Sequence, residues 1–510
     1  MDAAWDSEQG HPKRWLILGI MCTCLVLVVA GVSSLNLAIP SIIDDLKPSS
    51  TETLWIIDGY ALVFAGLLLP FGAVGDRYGR KGALLSGLVV FAGCALWAST
   101  SSTSTMLIIA RGTMGIGAAL VMPATLSIII SVFPLHERPK AIGAWAGFAG
   151  AGAALGIIAG GVLLESFWWG SVMLINVPIA ILAAVMIASV VPSSRDEQKT
   201  PLDPVGSVLS IVGLGALVFA IIEGGENGWA QTATIGWFVG AAGFLTGWIL
   251  WERRTANPML DPALFTKAPF SLGSVSLIAG FGVMFGMFFL LTQYFQFVQG
   301  HGPLAAGVRN LPFAGTMIVV ASLSPRVAAR VGKRGAMTLG LALQAVGFLL
   351  FAQLTPDTAY GKVVVPLILL AAGMAMLMPA ASESIVSSVP PNKAGVGSAW
   401  NDATREIGGA LGIAVLGTLL SIGYRNGIED QVALLPPEAA EAAEAGIGGA
   451  FAVAERTGLV EIIEPARQAF VDGMGLAFTA AAISSGLVAL LVLARFPKMA
   501  DEPVAVEAAV

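Results

Sequence analysis

Long apolar runs dominate the chain, and short polar breaks separate them. A run of about 20 apolar residues is long enough to cross a bilayer as a helix. Fourteen such runs occur, at 15–38, 54–75, 82–99, 105–130, 141–164, 171–191, 206–223, 234–251, 271–296, 305–327, 336–354, 363–386, 396–422 and 470–494. The pattern predicts an all-α polytopic membrane protein. The first run follows Lys13 and Arg14 as a signal peptide would, but it is too long and lacks a small-residue cleavage site, so it reads as a retained first helix.

Two breaks are longer than a turn. PSSRDEQKTPLDP (192–204) is a polar, proline-bounded linker after the sixth run. The stretch 425–468, with PPEAAEAAEAG, is acidic and alanine-rich and reads as a solvated connection, part of it a surface helix.

Composition agrees with a bilayer as solvent. Of 510 residues 56% are hydrophobic and 12% charged, with mean hydropathy +0.81. Soluble domains carry about 25% charged residues. The 61 glycines suit close helix contact in a membrane. Cys22, Cys24 and Cys94 fall inside apolar runs and predict packed thiols, without a disulfide framework.

Lysine and arginine set the orientation. With a cytoplasmic N-terminus, 19 of the 27 basic residues fall on the inside and six outside, while Arg111 and Arg405 lie within spans. Both termini are therefore expected in the cytoplasm, at the cell membrane.

One polar break is a charge cluster, GAVGDRYGRK (72–81), and PRVAARVGKR (325–334) echoes it 253 residues later. Arg77 aligns with Arg330, Gly79 with Gly332, Arg80 with Lys333 and Lys81 with Arg334. An internal repeat over half the chain predicts two pseudo-symmetric halves. These are a bundle at 15–191 and one at 271–494, with an inserted helix pair at 206–251 between the linker 192–205 and a loop at 252–270. Residues 1–14 and 495–510 are cytoplasmic ends. Two parallel six-helix halves describe a secondary transporter better than a channel.

GAVGDRYGRK also resembles the signature loop of the major facilitator superfamily. The fourteen-span layout resembles its drug:proton antiporter branch. LWIIDGYALVFAGLLLP (54–70) and ESFWWGSVMLINVP (165–178) look closest to quaternary-ammonium and methyl-viologen exporters. In the loop, Gly72, Gly75 and Gly79 thin a helix end, and Arg77, Arg80 and Lys81 anchor the face against headgroups. Asp76 suits the positive end of a helix. The resemblance implies that Asp76 latches the halves together. The second copy has Ala329 at that position, so the latch is one-sided.

Ionisable residues at membrane depth are functional candidates by default. Asp58, near the outer start of the second run, can attract a cation or exchange a proton, or else simply start a helix. Arg111 in IIARGTMGIGAALVMPA resembles the family's buried arginine with a proton-transfer role, or is a structural hydrogen-bond hub. Asp402, Arg405 and Glu406 in SAWNDATREIGGALG share a helix face. They make a proton-exchange or cation site, or a satisfied ion network. Gly152, Gly156 and Gly160 recur every four residues, followed by Gly161, and resemble the antiporter glycine motif; its proline position is Ile157. The acid the branch carries in its first span falls on Gly31, so coupling rests on Asp58, Arg111, Asp402 and Glu406. Glu165, Glu223 and Glu383 lie near span ends and read as interfacial.

No phosphate loop, metal-ligand cluster or hydrolase motif is present, which disfavours ATP drive, metal chemistry and enzymatic function. The expected function is efflux of lipophilic, cationic small molecules, driven by the proton gradient without a cofactor. Aromatic and methionine residues would line the cavity of a lipid-embedded monomer that binds no nucleic acid. The alternatives are a dedicated exporter of a metabolite, antibiotic or lipid, and a non-transporting membrane sensor.

Overall fold

The computed structural model describes residues 10–194 and 201–498. Arg195 and Lys199 of the linker, residues 1–9 and the tail from 499 lie outside the described residues. Among those described there is no strand.

Seventeen α-helices follow in order. The first seven are α1 (Arg14–Leu46), α2 (Ser50–Tyr78), α3 (Arg80–Ser99), α4 (Ser104–Val132), α5 (Arg138–Ser166), α6 (Ser171–Leu174) and α7 (Asn176–Val190). Then come α8 (Pro204–Asn227) and α9 (Thr232–Glu252). The last eight are α10 (Ala268–Gln293), α11 (Pro303–Val308), α12 (Leu311–Phe351), α13 (Tyr360–Val386), α14 (Ala394–Val432), α15 (Pro437–Glu444), α16 (Ile447–Thr457) and α17 (Ile463–Arg495).

Twelve helical stretches among the described residues are long and apolar enough to cross a membrane, against fourteen expected. One feature of the backbone bears on the difference. The expected runs 305–327 and 336–354 share one helix, α12, which turns at Gly332 (φ 71°, ψ 169°) without a loop. The expected run 141–164 lies within α5, a single helix of 29 residues. Gly79, which aligns with Gly332 in the sequence, also has positive φ (119°) and separates α2 from α3. Only glycine adopts such backbone at little cost.

Val89, Ile181, Val239 and Leu487 are more than half exposed. In water such a girdle would be a large apolar patch, so these side chains face lipid. Cys22, Cys24 and Cys94 are buried free thiols.

Helices α1–α7 pack on one another, and so do α10, α12, α13, α14 and α17. The two groups meet where α2 crosses α14 and α5 crosses α12. Helix α2 starts with a capping box on Ser49 and Glu52, and Ser104 Oγ donates to Glu52 Oε1 (2.6 Å). That hydroxyl, with the Ser49 donors, holds the Glu52 carboxyl below the usual carboxylate range.

The glycines of α5 do what their spacing suggests. A Cβ at Gly156 would sit 2.5 Å from the Ala30 carbonyl oxygen of α1; one at Gly152 would sit 3.2 Å from Val29 Cβ, and one at Gly160 3.1 Å from Ser34 Cβ. Gly161 turns toward Leu304. On its other side Gly143 and Gly147 bring α5 against Ala321 of α12. The tightest seam joins α10 to α14, where Gly412 lies directly on the Gly282 backbone.

The stretch 425–468, read from sequence as a solvated connection, is a packed cap. Helix α14 continues to Val432; α15 packs on its end and α16 on α15 and α17, burying Ala443, Ile447, Ala450 and Val453. Tyr424 Oη donates to the Ala443 carbonyl (3.1 Å).

A Gly156→Ala substitution drives a methyl into the α1 backbone, whereas Gly19 has nothing within 4 Å of its Cβ position. Gly156→Ala is expected to cost about 1–3 kcal/mol and to lower the melting temperature of the detergent-purified protein. Gly19→Ala should leave it unchanged. Equal melting of the two would refute the seam.

Candidate functional site

The signature loop builds a junction between the two helix groups. Its end of the molecule, carrying Arg77, Arg80 and Lys81, is here termed the basic face. Asp76 is 5% exposed in the last turn of α2. Arg80 donates to its Oδ1 from Nε (3.0 Å) and Nη2 (2.8 Å). From the other group, the backbone N–H groups of Gly395 (2.9 and 2.8 Å) and Val396 (3.2 Å) donate to the same carboxylate. These are first-turn N–H groups of α14, which lack partners within the helix and carry its positive dipole end. The approach needs two glycines. A Cβ on Gly72 would sit 2.6 Å from the Gly395 carbonyl, and one on Gly395 equally close to that of Gly72. Around the junction, Lys81 Nζ donates to the Ala188 carbonyl (2.9 Å) and Arg77 lies over the Tyr78 ring (5.5 Å). Gly75 has ordinary contact with Ala83. At the second copy, with Ala329 in place of an acid, Lys333 pairs with Glu383 (3.3 Å).

The membrane-embedded charges fall into two clusters. In the first, Arg111 of α4 is 1% exposed. Its Nε donates to the Ile56 carbonyl of α2 (3.2 Å), and its guanidinium lies 4.5 Å over the Tyr60 ring. Both Nη atoms lack a partner among the described residues. Asp58, between those two positions of α2, lies in the field of Arg111 and of Glu226 on α8.

In the second cluster, Asp402 and Arg405 of α14 are buried and joined by Arg405 Nη1 to Asp402 Oδ1 (3.3 Å). The Arg405 guanidinium lies between the rings of Phe281 (4.7 Å) and Trp145 (5.6 Å), from α10 and α5. Glu406 adds its charge to Arg405. Among the described residues Asp402 Oδ2 and both amide atoms of Asn401 have no hydrogen-bond partner in good geometry, the two side chains being each other's neighbours. The network is thus only half satisfied, an expensive arrangement in low dielectric.

Tyr60 joins the clusters, since its phenol feels both Arg111 and Glu406. Among the described residues its Oη is buried without a partner. The five charges come from α2, α4 and α14, with Arg111, Asp402 and Arg405 buried and Asp58 and Glu406 half-buried. Helix α14 connects its own three charges to Asp76. Gly31, where an acid was expected, has the Asn176 side-chain oxygen 3.7 Å from its Cβ position.

Sequence reasoning missed Tyr60, Trp145, Phe281 and Glu226. Tyr60 had a signal, lying one turn beyond Ile56 and two residues from Asp58. Trp145 and Phe281 had none, since aromatics are spread through every apolar run.

The model of the Major Facilitator Superfamily matches residues 21–413. The multidrug efflux pump LfrA of Mycolicibacterium smegmatis is 34% identical, over 94% of this chain and 95% of its own. The methyl viologen resistance protein SmvA of Salmonella typhimurium is also 34% identical, over 92% and 95%. The tetracenomycin C resistance and export protein of Streptomyces glaucescens is 32% identical, over 95% and 91%. Among solved structures, the proton:xylose symporter XylE superposes with TM-score 0.61 at 13% identity, over 95% of this chain and 96% of that one. The human organic anion transporter MFSD10 gives 0.60 at 14%, over 94% and 100%. A shared fold, a signature loop docked on a helix N-terminus and a family match over most of the length lead to one conclusion: this chain belongs to the Major Facilitator Superfamily.

Proposed function

We propose that this chain is a secondary transporter exporting chemically varied lipophilic cations in exchange for protons. The observation that carries the reading is the placement of two features on one helix. The N-terminus of α14 is held by Asp76, and three turns on it carries Asp402, Arg405 and Glu406. A proton or cation arriving at those acids changes the charge that α14 must accommodate. The same helix ends at the contact that keeps the basic face closed. Neutralising an acid and releasing Asp76 are then two ends of one displacement, as alternating access requires.

Several finer features belong to this reading. The orientation has the basic face and both termini in the cytoplasm, following the positive charges. Fourteen crossings follow if the 29-residue α5 crosses and α12 crosses twice about Gly332, since 41 residues span about 60 Å against about 30 Å of hydrocarbon. Positive φ at both Gly79 and Gly332 supports two related halves. The proton gradient supplies the drive without a cofactor, in the cell membrane, with the transporter a monomer. Relatives described as a multidrug efflux pump and a methyl viologen resistance protein support breadth and cationic cargo.

A second reading, a dedicated exporter of one natural product, is favoured by the relative described as exporting tetracenomycin C. Adding tetraphenylphosphonium to energised everted vesicles should collapse the pH gradient under the first reading. Under the second it should do nothing.

Asp402→Asn combined with Glu406→Gln should lower that proton–cation exchange at least tenfold with insertion intact. Unchanged exchange would move the coupling site elsewhere. Asp76→Asn removes the charge on the α14 N-terminus, worth about 1 kcal/mol. It should reduce turnover severalfold while cation binding in detergent stays within twofold. Normal turnover would reduce Asp76 to a topology anchor.

A further inference from the structure

The inserted pair α8–α9 stands outside both helix groups, and nothing above gives it work. It grips the same junction as Asp76. Lys393, the residue at the N-terminal boundary of α14, donates from Nζ to the Pro258 carbonyl (2.6 Å) in the loop after α9. Two residues earlier, Pro391 accepts from Arg80 Nη2 (3.3 Å). The segment leading into α14 is therefore held from two sides, by the signature loop and by the inserted pair.

The loop that holds it is itself rigid. Glu252, 2% exposed at the end of α9, accepts from Met259 N (2.7 Å) and Trp248 Nε1 (2.9 Å). Trp251 Nε1 donates to both oxygens of Asp203 (3.0 and 2.8 Å), whose carboxylate also caps α8 at Gly206 N (2.9 Å). The base of the pair is thus a closed unit. A cleft lined by Ala73, Asp76, Asp203, Met259, Lys393 and Val396 marks where α2, the pair and α14 meet.

The pair packs on α2 through α8, which also touches α14. A Cβ on Gly66 of α2 would sit 3.3 Å from the Ile211 carbonyl, and Phe219 stacks on Trp55 (5.9 Å). Its links to α14 lie toward the two ends, through Lys393 at the base and through Trp229 Nε1 to Thr418 Oγ1 (2.9 Å) near the opposite face. When α14 swings off α2, the base link must stretch.

We propose that the inserted pair is a second clasp on the basic face, with Lys393 the positioning residue that it holds. The inference rests on the alternating-access reading. The bond adds to the closed state alone, so its loss shifts the population toward the open one.

The test is a spin-label distance measurement on the full chain in lipid nanodiscs. Labels at Tyr78→Cys and Val331→Cys, both exposed on the basic face, report its opening. Lys393→Met should raise the long-distance population about tenfold, the effect expected for losing one charge-assisted hydrogen bond. Lys393→Arg should restore the wild-type distribution. Glu252→Ala, which frees the loop without touching α14, should shift it the same way. The double variant should go no further than the larger single one, because both cut one link. A silent Lys393→Met alongside a shifted Asp76→Asn overturns the clasp and leaves alternating access standing, and so does an additive double variant. Silence of all three variants overturns alternating access at this face and the clasp with it.

Discussion

A carboxylate seated on the end of a helix organises this molecule. Asp76 meets the free N–H groups of Gly395 and Val396 at a distance that only two facing glycines permit. Such a contact is strong in low dielectric because neither side has water to return to. It is also brittle, since it depends on one carboxylate and one dipole. Arg80 braces the acid from its own side, on the same Oδ1 that one of the Gly395 N–H contacts uses, while Oδ2 faces the helix end alone.

The electrostatic system above the junction follows the opposite rule. There, among the described residues, Arg111 Nη1 and Nη2, Tyr60 Oη, Asp402 Oδ2 and the Asn401 amide lack hydrogen-bond partners in good geometry. Buried polar groups are normally satisfied, and exceptions concentrate where chemistry or exchange occurs. Aromatic rings stand in where hydrogen-bond partners are missing. Tyr60 faces Arg111, and Phe281 and Trp145 face Arg405. A ring face attracts a cation without fixing it to a lone pair. Each arginine is thus seated against an aromatic face as well as near a carboxylate.

Hydropathy made the element order legible because membrane depth sets helix length so tightly. The α5 glycine face was legible too, since spacing alone puts Gly152, Gly156 and Gly160 on one side. What stayed hidden depends on long-range pairing. Asp76 suited a helix terminus, but nothing local says that the terminus lies about 320 residues on. The break in α12 was legible as the charged stretch 325–334; what was not legible is that Gly332 turns the chain there while the helix continues on both sides. The cap formed by α15 and α16 was misread because alanine and glutamate look solvated. Ala443 and Ala450 are small enough to be buried with little apolar signal. Around the arginines, one aromatic in many had to be chosen, and only the fold chooses it.

The length of α14 has a mechanical meaning. It runs 39 residues as a single helix, about 58 Å, stiffened along its middle by backbone contact with α10. Leu434, 85% exposed, stands just past its far end on the cap. A rigid rod of that length, tilting about ten degrees about its base, carries its tip through about 10 Å. On the proposed alternating-access reading, a tilt at the basic face would therefore show at the cap, at the other end of the molecule. A binding protein selected against the cap would then read, or arrest, that motion.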